Sequence, residues 1–92
     1  MFNSSSIYSK NSLKIAHLNI QSICNKLDEI KLFLVNQKIE IMLLNETFLT
    51  PSKKITIKNY KIIRKDRQNR RGGGICFIIH ETIEHSSLDL NN

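Results

Sequence analysis

Apolar residues fall into short blocks along the chain, and the spacing within each block predicts an element. Leu13-Lys14-Ile15-Ala16-His17-Leu18 reads as a short strand, and Asn19 to Ser22 as the turn that follows. Ile23, Leu27, Ile30 and Leu34 recur at steps of four, three and four, which is one face of a helix. Ser22 is the expected N-cap, because its hydroxyl can accept from the free amides of the first turn. The helix is expected to end near Gln37, and Ile39 to Asn45 to form a second strand. Two parallel strands joined by such a helix make a right-handed β-α-β unit. After a loop with Pro51, Tyr60 to Lys65 and Gly74 to His80 read as a third and a fourth strand. A hairpin through Gly72, Gly73 and Gly74 is their economical connection. Residues 1–12 are polar, serine-rich and aperiodic and read as a disordered leader. Residues 84–92 carry no clear pattern.

Two of the strand blocks lack a polar face. Ile41-Met42-Leu43-Leu44 and Ile75-Cys76-Phe77-Ile78-Ile79 are continuous apolar runs, as expected for strands in a sheet covered on both sides. One helix covers one side. The other requires either a partner or the remaining layers of a larger domain of which this is the front end, and the second is preferred.

The length of 92 residues allows one small domain and excludes a two-domain enzyme or a complete doubly wound nucleotide-binding domain. No stretch has the apolar length of a membrane span. The N-terminus lacks the apolar core of a signal peptide, so an intracellular rather than secreted protein is expected. Cys24 and Cys76 stand in no metal spacing and read as two buried thiols in a reducing compartment.

Charge adds a partner class. The net charge is +6, but residues 53–71 alone hold nine basic side chains and one acid, Asp66, leaving −2 for the rest. A patch so concentrated suits a polyanion; a solvated loop face accounts for it equally well. Arg64 to Arg71 also has the spelling of a nuclear localisation signal.

Sites in open α/β sheets form beyond the carboxyl ends of parallel strands. Asn19 and Glu46 stand at those ends, and a carboxylate beside an amide oxygen suits a hard cation such as Mg²⁺ (or Mn²⁺) holding a phosphate. From the residue types alone, a turn asparagine and a solvated loop acid are the commoner account.

Four stretches in order carry a resemblance. They are Ala16-His17-Leu18-Asn19-Ile20-Gln21-Ser22-Ile23, Asn25-Lys26-Leu27-Asp28-Glu29, Leu43-Leu44-Asn45-Glu46-Thr47-Phe48-Leu49, and Asp66 through Arg70-Arg71-Gly72-Gly73-Gly74-Ile75. Together, over residues 13–83, they resemble the endonuclease/exonuclease/phosphatase superfamily, in particular the apurinic-type endonuclease domain of non-LTR retrotransposons. The resemblance implies a Mg²⁺-dependent phosphodiesterase that nicks DNA on a four-layer α/β sandwich. Residues 13–92 would be its N-terminal part, β-α-β then β-β. Asn19 matches the asparagine that helps hold the scissile phosphate, and Glu46 the glutamate that binds the metal. Arg67, Arg70 and Arg71 would border the DNA.

The sequence departs from that family's later motifs: an active-site tyrosine, an Asp-x-Asn pair and a closing Asp-His pair. Asp89-Leu90-Asn91 has the second spelling but follows no buried strand, His80 and His85 have no adjacent Asp, and Tyr60 reads as strand core. The expectation is therefore a truncated domain without useful nuclease activity, whose missing C-terminal half, and a reverse transcriptase in a parent polyprotein, lie elsewhere. The alternatives are a nucleic-acid-binding remnant that uses residues 53–71 without cutting, and a repair-type endonuclease or phosphatase of the same superfamily.

Overall fold

The computed structural model describes residues 6–11, 13–66 and 73–83. Five strands form one sheet in the order β1-β2-β3-β5-β4, with one helix. The elements are β1 (Ser6–Lys10), β2 (Leu13–Asn19), α1 (Leu27–Asn36), β3 (Ile41–Asn45), β4 (Tyr60–Lys65) and β5 (Ile75–His80). The β-α-β unit is present: β2 and β3 are parallel, with Asn19 opposite Asn45. β4 and β5 pair antiparallel, and β5 lies inside, against β3.

Three expectations need correction. Residues 6–10 of the expected leader form β1, antiparallel to β2 with Ser6 opposite His17. The strand has two apolar residues, Ile7 and Tyr8, both exposed and adjacent rather than alternating, so no hydrophobic pattern marks it; main-chain pairing to the edge of β2 holds it instead. The helix begins at Leu27, with Lys26 at the N-cap position and no side-chain cap. Ser22 is therefore not its cap, although its Oγ accepts from Cys24 N at 3.4 Å. The reason is main-chain pairing: Ser22 N and Ile23 N donate to Glu46 O and Thr47 O at 2.8 and 3.0 Å, and Ser22 has φ +88°, so the chain is not yet helical there. The chain runs on beside β3 before it coils. Asp28 and Glu29 then favour the start of the helix by facing its positive end. The third correction is Cys24, which is exposed; only Cys76 is buried.

α1 ends in a Schellman motif. Ile39 N donates to Leu34 O at 2.9 Å and Lys38 N to Val35 O at 3.2 Å. Lys38 takes the left-handed conformation (φ +53°) that this motif demands and that glycine usually supplies.

The core lies between α1 and one face of the sheet. Ile30, Phe33 and Leu34 of the helix pack with Ala16, Leu18, Met42, Leu44, Cys76 and Ile78. Leu49 and Ile57, from the segment between β3 and β4, join the same cluster. Cross-strand register puts Tyr8, Ile15, Ile41 and Ile79 in one row on the opposite face, and His17, Leu43, Phe77 and Ile63 in the next. No described element packs across that second face. Tyr8, Ile63 and Ile75 on it are exposed, whereas Ile41 and Ile79 are buried. The two-sided apolar strands are thus real: α1 covers one side, and the other is buried at Ile41 and Ile79 and open at Tyr8, Ile63 and Ile75. Among the described residues, no helix is long and apolar enough to cross a membrane.

Candidate functional site

β2 and β3 end together, and their ends are joined past the last paired residues. Ile20 N donates to Asn45 O at 3.0 Å, and the bonds from Ser22 N and Ile23 N continue the ladder along Glu46 and Thr47. The parallel ladder therefore brings Asn19 beside Asn45 on the neighbouring strand, about 4.8 Å away, with Glu46 one residue further on. Asn19 is exposed and Glu46 half-buried.

Glu46 has φ +55° and Phe48 φ +58°, a conformation that L-residues with side chains rarely adopt. Bonds on both sides hold them there. On one side is the Ser22–Ile23 ladder; on the other, Thr47 N donates to Gly74 O at 3.4 Å and Phe48 N to Gly73 O at 2.9 Å. Gly73 and Gly74 themselves have φ +75° and +90°. The glycines are thus more than a hairpin corner: their carbonyls extend the β3–β5 pairing onto the segment that carries Glu46. Thr47 between them is fully buried, and its Oγ1 has no hydrogen-bond partner.

Three residues of this region were not singled out from the sequence. Asn45 Oδ1 accepts a hydrogen bond from His17 Nε2. An amide oxygen can only accept, so His17 carries its proton on Nε2 in this pairing. His17 shares a face of β2 with Asn19 through the two-residue period of a strand, which is the one sequence signal available for it. Lys26 reaches back from the helix start: its Nζ donates to Ile20 O at 2.7 Å and to Gln21 O at 3.5 Å. It holds the turn that follows Asn19.

The basic stretch divides. Arg64 is fully committed within the fold, donating to both oxygens of Asp66, with an ion-pair distance of 2.6 Å, and to the backbone carbonyls of Lys53 at 2.7 Å and Thr50 at 2.9 Å. It fastens the loop after β3 to β4. Lys53, Lys54, Lys58, Lys61 and Lys65 are exposed. Arg67, Arg70 and Arg71 lie outside the described residues, as do His85, Asp89 and Asn91. Tyr60 packs against the core and donates its hydroxyl to Ile39 O at 2.7 Å, the strand-core role expected of it. His80 meets the ring of Tyr60 edge to face.

Among the described residues, no group of three or more His, Cys, Asp or Glu side chains stands together as a metal cluster. The donors near the strand ends are one carboxylate and two amide oxygens. That hard-oxygen set suits Mg²⁺, which keeps several waters and takes one or two carboxylates together with substrate phosphate.

No known protein family matches the sequence, and no curated protein matches it.

Proposed function

We propose that the chain is the N-terminal part of a Mg²⁺-dependent phosphodiesterase domain of the endonuclease/exonuclease/phosphatase type, in the branch found in non-LTR retrotransposons. The observation that supports this most is the joining of the Asn19 and Glu46 segments at the carboxyl ends of adjacent parallel strands. Those are the two segments on which the sequence resemblance rests. On this reading Glu46 holds the metal and Asn19 donates its amide hydrogens to a phosphate oxygen. A bound Mg²⁺ would supply Lewis acidity to the phosphoryl group. His17, by engaging Asn45, and Lys26, by engaging the 20–21 carbonyls, keep the two strand ends in place. The apolar face of the sheet away from α1, exposed at Tyr8, Ile63 and Ile75, is the side a second sheet of a four-layer sandwich would occupy.

On this reading Asn19 and Glu46 are one part of the site, and cutting DNA needs the family's later motifs as well. Removal of a proton-transfer group alone lowers rates by about 10²–10⁴-fold. The test uses Mn²⁺ as a paramagnetic probe in NMR. Selective broadening of amides around residues 19–22 and 45–47, lost in Glu46→Ala, supports the reading. Broadening centred elsewhere, or unchanged in Glu46→Ala, rejects it.

A second reading is supported by the five exposed lysines between residues 53 and 65: a module that binds nucleic acid without cutting it. It requires binding that weakens steeply with salt, survives Glu46→Ala, and falls when Arg67, Arg70 and Arg71 become Ala.

A further inference from the structure

The opposite end of the sheet, away from Asn19 and Glu46, contains a hollow of about 610 Å³. That is within the size range of small-molecule pockets, roughly 300–1,000 Å³. It lies where β2 and β3 begin, below the C-terminus of α1. We propose that this hollow binds an organic phosphate monoester, with the phosphate on its lysines and the carbon group on its apolar wall. The proposal does not depend on the phosphodiesterase reading.

Charge is the first support. Lys14, Lys38 and Lys58 reach the hollow from three separate segments, and Glu40 is the carboxylate that lines it. Three cations less one anion leave a formal +2, which matches the nearly dianionic charge of a phosphate monoester at neutral pH. Among the described residues the ion pair is Arg64 with Asp66, so none of the three lysines has its charge matched in that way. Glu40 Oε1 already accepts from Lys14 N at 3.2 Å. Lysine ammonium groups bind a phosphate as point charges, without the directional fork of a guanidinium, and the cations of this lining are lysines.

The walls are also built in advance. His80 N donates to Glu40 O at 2.8 Å, Glu81 N to Asn59 O at 2.9 Å, and Tyr60 Oη to Ile39 O at 2.7 Å. These bonds tie the starts of β3 and β4 to the end of β5. Lys38 is set by the left-handed turn that closes the helix, at a position where glycine would be less strained. Leu34, Val35 and Ile39 supply the apolar side. Val35 is 68% exposed, an apolar side chain available to a ligand.

Phenyl phosphate is the probe, followed by amide NMR on the whole chain. The expected result is saturable shifts at Lys14, Val35, Lys38, Lys58 and Tyr60, with a Kd of about 1 mM or tighter. The triple variant Lys14→Gln, Lys38→Gln, Lys58→Gln should weaken binding about tenfold or more, while Lys53→Gln, Lys54→Gln, Lys65→Gln, with the same loss of charge, should not. Val35→Ser should weaken phenyl phosphate but leave inorganic phosphate unchanged. Equal losses in the two triple variants would show general attraction to a basic surface and overturn the proposal. So would shifts centred outside the hollow, or no saturable binding.

Discussion

A β-carbon on Gly74 would lie 2.7 Å from Oγ1 of Thr47, closer than such atoms approach one another. Thr47 is fully buried and directly follows Glu46, so the absence of a side chain at Gly74 lets the segment carrying Glu46 seat against β5. Gly74→Ala meets two obstacles, this contact and a φ of +90°. It should destabilise the fold by about 1–3 kcal/mol, read as a shift of the denaturation midpoint. Adding Thr47→Ala removes the contact but leaves the backbone strain, so the double variant should recover part of the loss. Strict additivity of the two changes would show that the residues are not coupled.

Arg64 closes the loop after β3 through two backbone carbonyls and Asp66. Arg64→Lys keeps the charge but not the fork, and one ammonium cannot meet all three partners. A loss of about 1–3 kcal/mol is expected, with faster amide exchange in residues 50–53. If Arg64→Lys were neutral while Arg64→Ala was costly, charge alone would account for the residue.

The two thiols should differ in reactivity. Cys24 is exposed and should react with a thiol reagent in the native protein, while Cys76 waits for unfolding. Burial pushes the Cys76 thiol from its ordinary 9.0 up to about 11, the nearby Arg64 opposing and Asp66 assisting. A thiol whose pKa is raised by folding contributes stability that is complete below about pH 9 and lost as pH rises toward 11. Tyr60 is shifted in the same direction, chiefly by burial and secondarily by Glu40. Stability should therefore fall on the alkaline side. In Cys76→Ala, which is less stable at neutral pH, the decline between pH 9 and 11 should be shallower. An identical pH profile in wild type and Cys76→Ala would refute this.

The face of the sheet away from α1 presents Tyr8, Ile63 and Ile75 to solvent beside the half-buried Leu43 and Phe77, although Ile41 and Ile79 on it are buried. Exposed apolar patches of this kind promote association. The chain should bind hydrophobic dyes and self-associate, and Ile63→Lys with Ile75→Lys should reduce both while leaving the midpoint of unfolding within about 0.5 kcal/mol. A dye-silent wild-type monomer would mean that this face is covered in solution.

Lys38 is a stability reserve. Lys38→Gly relieves the left-handed strain at the end of α1 and should stabilise the fold by up to about 1 kcal/mol. Its cost would appear in phosphate binding, which links this measurement to the hollow beneath the helix.

Much of the architecture was legible in the spacing of residues. The step of three and four from Ile23 to Leu34 announced the helix, and the apolar runs announced inner strands; β3 and β5 are indeed third and fourth in the sheet of five. Asn19 and Glu46 could be placed at strand ends because parallel pairing follows from a strand–helix–strand order. β1 escaped notice because main-chain bonds, to which side-chain hydropathy is blind, hold it. Ser22 was misassigned for a related reason: its local sequence permits a cap, but its amide and that of Ile23 are taken by residues more than twenty positions away.

By itself, then, the sequence determined four of the five strands and the presence of the helix between β2 and β3, which positions are apolar on both faces, and that the basic charge lies in one stretch. These follow from local periodicity and composition. The tertiary structure alone decided that β5 sits between β3 and β4, that Arg64 is consumed inside the fold, that His17 meets Asn45, and that Gly74 must lack a side chain beneath Thr47. Each depends on which backbone groups pair across long separations, and local pattern cannot encode that choice because many registers satisfy the same alternation of apolar and polar residues.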